Sequence, residues 1–272
     1  MAGCGPATVV YEVPRLRLLG TGTSFGVPQL ACDCAVCRST DPRDRRGRSS
    51  ALIESASTTI LIDTPPELRL SLLTAGTTRL DGVIFTHEHA DHVGGIDDLR
   101  IFSLRQRQEI PVHATARTAE FLRTSYRYIF DDSVVPIPGT SKPRLALRPL
   151  VPGTPVDIGD LSLLPLEFDH GNTPVIGVRL GRMAYLTDVK AITAPMRDRL
   201  RGLDVLVLNA LWWRSHPTHL SIPEAIETAS DIGARRTILT HLTHETGHAE
   251  LAGQLPPGIE PGYDGLTVEV AE

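Results

Sequence analysis

The sequence has no uninterrupted apolar run of about 18 residues, the length a bilayer-spanning helix needs. Its opening segment, Met1 to Arg17, also lacks the apolar core of a secretory signal. Both absences point to a soluble, cytoplasmic protein with no membrane partner. A basic surplus is missing as well: 27 Lys and Arg stand against 32 Asp and Glu, for a net charge of -5. Nonspecific affinity for extended nucleic acid comes largely from clustered Lys and Arg, so this balance argues against a general polyanion binder. A small phosphate ester is not excluded, because bound divalent metals can supply positive charge locally. No internal repeat and no long linker divides the chain. With 41% hydrophobic residues, enough for a large core, residues 1–272 read as one domain.

Cysteine is scarce, and three of the four fall in one short stretch, Cys32, Cys34 and Cys37. A disulfide framework spreads its cysteines along the chain, so metal ligation is the better reading of this cluster. Cys4, in a segment expected to fray, reads as an incidental free thiol.

What is plentiful is short aliphatic runs bounded by Gly, Asp, Pro or Thr. Leu16–Leu19, Ala51–Glu54, Thr59–Ile62 and Gly82–Phe85 read as buried strands. A second set follows at Ile110–His113, Leu145–Pro149, Leu161–Glu167, Val175–Arg179, Met183–Leu186, Val205–Leu208 and Thr237–Leu239. Helical patterns fit Pro66–Ala75, Gly94–Leu104, Thr118–Phe130 and Ile222–Ile232. The last has Ser221 as N-cap with Glu224 three residues on, Pro223 in its first turn and Gly233 as its stop. Two strand-rich halves with interspersed helices suggest a four-layer αββα sandwich, although the pattern alone leaves several α/β and α+β folds open.

After the strand Gly82–Phe85 comes Thr86-His87-Glu88-His89-Ala90-Asp91-His92. Single histidines are often ordinary polar residues, but three imidazoles and a carboxylate at one strand end are hard to explain that way. Alternation lets His87 and His89 project together from extended chain. Asp91 and His92 then turn to the other side as a helix begins, which suits two metal positions. His170, Asp188 and His241 each follow a later strand and complete a ligand set for two ions. Nitrogen and oxygen donors with a bridging carboxylate suit Zn, Mn or Fe.

This series, His87-x-His89-x-Asp91-His92 followed by His170, Asp188 and His241, resembles the metal ligands of the metallo-β-lactamase superfamily. Asp63 resembles that superfamily's first motif, a carboxylate supporting the ligand loop. A narrower resemblance lies in Leu19-Gly20-Thr21-Gly22-Thr23-Ser24-x-Gly26-Val27-Pro28 and Cys32-x-Cys34-x-x-Cys37. It continues in Ile238-Leu239-Thr240-His241-x-x-His244 and Gly262-Tyr263-Asp264-Gly265. These are similar to the PhnP-type phosphoribosyl 1,2-cyclic phosphate phosphodiesterases of the carbon–phosphorus lyase pathway.

The resemblance implies a metallo-β-lactamase αββα fold and two divalent catalytic metals, Mn or Zn or Fe. His87, His89 and His170 would hold one, Asp91, His92 and His241 the other, with Asp188 bridging. It implies a structural zinc on Cys32, Cys34, Cys37 and His244, a closed tetrahedral set. It also implies a catalytic histidine before the last helix, matched by His219, although His216 is close and spacing alone does not choose between them. The expected reaction is attack by metal-activated hydroxide on a cyclic phosphodiester, with Asp91 and His219 among the catalytic residues and His219 protonating the leaving oxygen. The reading is compatible with a homodimer.

Three other classes share parts of this signature. A tRNA 3′-processing endonuclease would need a basic exosite arm, and no long basic insertion is visible. A thioester or lactam hydrolase would not need His219 as an acid. A binding protein like the pyrroloquinoline quinone biosynthesis B protein shares the Gly-rich stretch and the cysteines, but the intact His-x-His-x-Asp-His speaks for a working centre. Phe121, Tyr126, Tyr128 and Phe130 fit the core better than a base-stacking wall. Arg100 and Arg105 could neutralise a second phosphate, although surface Arg is the commoner outcome. His113, His216 and His248 read as ordinary polar residues.

Overall fold

The computed structural model describes residues 13–270, so Cys4 lies outside the described residues. Two seven-stranded sheets face each other. The first contains β1 (Arg15–Gly20), β2 (Ser50–Glu54), β3 (Thr59–Ile62), β4 (Gly82–Ile84), β5 (Ile110–Ala114), β6 (Leu145–Pro149) and, on its far edge, β14 (Thr267–Glu269). The second contains β7 (Val156–Ile158), β8 (Leu161–His170), β9 (Thr173–Leu180), β10 (Met183–Leu186), β11 (Val205–Asn209), β12 (Arg236–Thr240) and β13 (Ile259–Pro261). Strands β3 to β6 run parallel, as do β10 to β13. The aliphatic runs lack polar alternation because these strands are buried on both faces. Ile53, Ile60, Ile62, Val178, Tyr185 and Val207 point into the core between the sheets.

The opposite faces carry helices. On the first sheet, Leu52, Leu61 and Val83 pack with α1 (Leu68–Ala75), α3 (Arg100–Gln106), α4 (Ala116–Ser125) and α5 (Arg127–Phe130). The short α2 (Ala90–Val93) lies between α1 and α3 in sequence. On the second sheet, Leu206, Leu208 and Leu239 pack against α7 (Ile222–Ile232) and α8 (His248–Gln254), with Met196 of α6 (Ala194–Arg199) at the margin. The order helix, sheet, sheet, helix is the expected four-layer αββα sandwich.

Helix α7 has the expected bounds. Ser221 caps it, Glu224 completes the reciprocal capping box, and Gly233 ends it in the left-handed conformation. Ser221→Ala should lower stability by about 1 kcal/mol in urea unfolding, the usual scale for an N-cap.

Two other helices differ from expectation. The stretch Gly94–Leu104 is not one helix: α2 stops at Val93, a 3-10 turn covers Ile96–Leu99, and α3 begins at Arg100. Close approach is the reason, since a Cβ on Gly95 would sit 2.2 Å from the Pro65 carbonyl oxygen. The stretch Thr118–Phe130 starts earlier, at Ala116, and breaks at Tyr126, whose hydroxyl donates to the Val93 carbonyl at 3.1 Å.

Candidate metal centre

Every strand that carries a candidate ligand delivers it at one edge of the sandwich. Asp63 follows β3, the His87–His92 segment follows β4, His170 ends β8, Asp188 follows β10 and His241 follows β12. Asp63, Asp188 and His241 have φ of 62°, 60° and 58°, a left-handed conformation that non-glycine residues rarely adopt. Each such residue costs on the order of 1–3 kcal/mol and persists where its surroundings over-determine it, a pattern typical of functional sites. Asn209 is one of those surroundings. Its buried amide accepts from the Val189 N–H at 2.7 Å and donates to the Val189 carbonyl at 3.0 Å, fixing the chain just past Asp188.

Hydrogen bonds determine which ring nitrogens face inward. His170 Nδ1 lies 2.8 Å from the Thr218 carbonyl, which can only accept, so Nε2 is the nitrogen left free. His92 Nδ1 lies 2.7 Å from Asp63 Oδ2, leaving its Nε2 3.4 Å from both Asp91 and Asp188. Asp63 also accepts from the Thr86 N–H and hydroxyl, both at 2.8 Å. Because the Thr86 hydroxyl donates to Asp63, it accepts from His87 Nδ1 at 3.0 Å and leaves His87 Nε2 free. That nitrogen sits 2.9 Å from His89 Nδ1, two ring nitrogens turned toward one point. His241 Nε2 lies 3.0 Å from Asp188 Oδ1.

These atoms converge in the groups the sequence suggested. His87, His89 and His170 form one cluster, Asp91, His92 and His241 another, and Asp188 stands within reach of both through His87, His92 and His170, with donor atoms in each cluster within 4.8 Å. His92 Nε2 and His241 Nε2 face Asp188 oxygens at 3.4 and 3.0 Å without the geometry of a hydrogen bond, and His241 Nδ1 has no partner among the described residues. Unpartnered buried nitrogens beside carboxylates are what a divalent cation would satisfy, so the residues fit two such ions. Burial raises the Asp188 carboxyl, but the His241 and His92 rings outweigh it and hold the group well below the usual carboxylate range. Burial likewise opposes charge on His92, yet Asp188, Asp63 and Asp91 hold its imidazole well above normal.

His219 stands beside this set. Its Nε2 lies 3.1 Å from Asp188 Oδ1, and its ring stacks on His241 and meets the edge of His170. Burial pushes the imidazole down to about 4, against the hydrogen bond to Asp188. The pocket over the centre measures about 300 Å³, and Ser24, Asn172, Thr173, Thr218 and His219 line it together with the ligands. Sequence reading gave no role to Ser24, Asn172, Thr173, Thr218 or Asn209. Ser24, inside the Gly-rich motif, and Asn209, a polar residue closing the apolar run Val205–Leu208, left a signal in the sequence. Tyr126 and Phe130 pack on the core as expected, but Phe121 and Tyr128 are exposed, Tyr128 donating to Asp97. Arg100 is ion-paired with Asp97, and both it and Arg105 line a separate cavity beside α1 and α3, so neither is available for a second phosphate here.

A second cluster joins the N-terminal loop to the His241 loop. The Cys32, Cys34 and Cys37 sulfurs lie 3.2, 3.4 and 3.5 Å from His244 Nδ1. Four soft and borderline donors around one point suit a tetrahedral zinc. The Cys37 N–H holds the Cys34 thiol down at about 6, already a thiolate at neutral pH, whereas burial pushes Cys37 up to about 11. Beside it, the buried Arg46 donates to the carbonyls of Thr243 and Thr246. A Cβ on Gly20 would lie 1.9 Å from the Arg48 carbonyl oxygen, so the Gly-rich stretch allows these loops to close up. Cys34→Ser should lower the melting temperature and the bound zinc, while kcat at saturating active-site metal changes by less than about threefold.

The beta-lactamase superfamily domain model matches residues 58–242. The crystal structure of a new diphosphatase from the PhnP family superposes with a TM-score of 0.87 and 36% identity, covering 94% of this chain and 96% of that one. The chain belongs to the PhnP family of the beta-lactamase superfamily. An octanoyltransferase from Porphyromonas gingivalis (strain ATCC BAA-308 / W83) is 42% identical over 261 residues, 95% of this chain. Those residues make up 52% of that protein, so the chain spans about half its length. Coenzyme PQQ synthesis protein B from Methylobacterium nodulans is 24% identical over 93% of this chain and 99% of its own. Among the described residues no helix is long and apolar enough to cross a membrane.

Proposed function

We propose that this PhnP-family chain is a dinuclear metal-dependent hydrolase of a small phosphodiester, with a cyclic ribose phosphate or cyclic nucleotide as the type of substrate. Two divalent ions, Mn or Zn, would neutralise phosphate charge and activate a water for attack at phosphorus. His87, His89 and His170 would hold one, Asp91, His92 and His241 the other, and Asp188 would bridge. The chain's own residues supply the rest. Asp63 and the Thr218 carbonyl fix the ligand rings, Ser24 and Thr173 border the substrate, and His219 would protonate the departing oxygen or hydrogen-bond to the charge that develops there.

One observation carries this reading. Seven donors (His87, His89, Asp91, His92, His170, Asp188 and His241) suffice for two ions, and His219, which also comes within reach of His170 and Asp188, lines the pocket 3.1 Å from Asp188, beside the space a leaving alkoxide would occupy. Ribose alkoxide is a poor leaving group and uses such an acid. A thiolate leaves unaided, so a thioester substrate would give His219 no work. The octanoyltransferase likeness carries less weight because this chain matches only 52% of that protein.

A phosphoric anhydride is the second reading, favoured by the diphosphatase at 36% identity. The test is a panel assayed with Mn-loaded and Zn-loaded protein: a ribose 1,2-cyclic phosphate, 2′,3′- and 3′,5′-cyclic nucleotides, bis-p-nitrophenyl phosphate, a dinucleoside diphosphate and an acyl thioester. The first reading expects the cyclic diesters to have the highest kcat/KM. Faster diphosphate turnover would replace it with the second, and thioester turnover alone would reject both.

A further inference from the structure

His219 has a neighbour that the sequence reading set aside as ordinary. His216 is half-buried on the loop joining β11 to α7, and its Nδ1 lies 3.1 Å from His219 Nδ1. Thr218 stands against both nitrogens: its hydroxyl is 2.9 Å from His219 Nδ1 and 3.2 Å from His216 Nδ1. The Thr218 backbone N–H also points at His216 Nδ1, at 3.3 Å. A backbone N–H can only donate, so His216 Nδ1 is an acceptor. The Asp188 carboxylate can only accept, so the proton of the neutral His219 ring sits on Nε2 and its Nδ1 accepts from the Thr218 hydroxyl; Nδ1 donates to His216 only in the doubly protonated ring. Either way His216 and Thr218 close off the Nδ1 side of the His219 ring.

The surroundings keep His216 in this place. The edge of Trp212 meets its ring at 5.3 Å between centroids, and the Arg214 guanidinium lies over Trp212 at 4.4 Å. The loop is closed at its neck by Leu211 N–H to the Leu220 carbonyl at 2.9 Å and Ile222 N–H to the Trp212 carbonyl at 2.7 Å. His216 itself does not line the pocket.

We propose that His216 is a positioning residue for His219: together with Thr218 it holds the Nδ1 side of the ring and fixes its rotation, so that the Nε2–H faces the substrate. The inference deepens the phosphodiesterase reading and rests on it for its kinetic part. Polar groups around a working histidine commonly hold it through its second nitrogen, and losing such a partner costs roughly 10- to 100-fold.

The test compares His216→Leu, which removes the acceptor, with His216→Asn, whose Oδ1 can stand near the lost Nδ1. In the Leu variant kcat on a cyclic ribose phosphate should fall about 10-fold or more, with KM and metal content unchanged and a smaller loss on bis-p-nitrophenyl phosphate. The Asn variant should recover most of the rate. Equal losses in both variants, no loss in either, or a change confined to KM would each overturn the proposal. A readout independent of turnover is long-range 1H–15N correlation on zinc-loaded, diamagnetic protein. It should show a proton at His219 Nε2 in the parent and the Asn variant, and a mixed tautomer in the Leu variant. If the parent hydrolyses no phosphodiester but this pattern appears, the functional reading fails and the positioning stands. An unprotonated His219 Nε2 in the parent would overturn the positioning whatever the substrate.

Discussion

Asp188→Ala should abolish turnover on every substrate alike, a loss of at least about a thousandfold, because it removes the carboxylate shared by both ligand clusters. Asp188 lies 3.0 Å from His241 and 3.4 Å from His92, and both rings hold its carboxyl in the charged form. Without it those rings face a pocket that has lost its central negative charge. Metal analysis after dialysis should show at least one ion lost from the active site, with the zinc on Cys32, Cys34, Cys37 and His244 retained. Circular dichroism should show the fold intact, since the core between the sheets does not depend on this side chain. A variant with parental turnover and full metal occupancy would make the dinuclear assignment wrong.

The second large effect separates a phosphodiesterase from a hydrolase that merely owns two metals. His219→Ala removes a ring outside the ligand groups proposed for the two ions, so metal content and stability should hold. His219 does come within 4.8 Å of the donor atoms of His170 and Asp188, but closeness alone does not make a ligand. Its Nε2 approaches Asp188 Oδ1, where His170 and His241 already stand on either side of the ring. Turnover of a cyclic ribose phosphate should fall roughly a hundred- to ten-thousand-fold, the scale of a general acid. The loss on bis-p-nitrophenyl phosphate should be much smaller, because p-nitrophenolate departs without a proton. Equal losses would mean that His219 holds substrate or stabilises charge. A loss of metal with the activity would move His219 into the ligand set.

Much of the layering was legible in the sequence because strands buried on both faces have to be written as continuous aliphatic runs, and Thr59–Ile62 and Met183–Leu186 keep their expected bounds, as does the edge strand Leu145–Pro149. Helix α7 was legible for a different reason, since Ser221, Pro223, Glu224 and Gly233 each satisfy a local backbone need. The short edge strands β7, β13 and β14 carried too few residues to show a period, and α6 and α8 are barely two turns long. The break at Gly94-Gly95 came from a tertiary contact with Pro65, which no local pattern reports.

At the site, the candidate ligands stood out because four of them share one strand end. The residues that hold them did not. Thr218 acts on His170 through its carbonyl and on His216 through its N–H, so its identity as threonine says nothing about either bond. Asn172 and Thr173 reach the pocket only because the β8–β9 hairpin turns there. The separation of His216 from His219 was ambiguous by spacing, and in the fold His219 lines the pocket while His216 stands against its far nitrogen.

The most direct measurement is 31P NMR of a ribose 1,2-cyclic phosphate incubated with Zn-loaded protein in 18O-enriched water. Hydrolysis of the cyclic diester predicts that its resonance is replaced by that of a phosphomonoester carrying the isotope shift of one 18O on phosphorus. A cyclic phosphate signal unchanged at full metal occupancy, or a product with the label on carbon, would contradict attack at phosphorus by this centre.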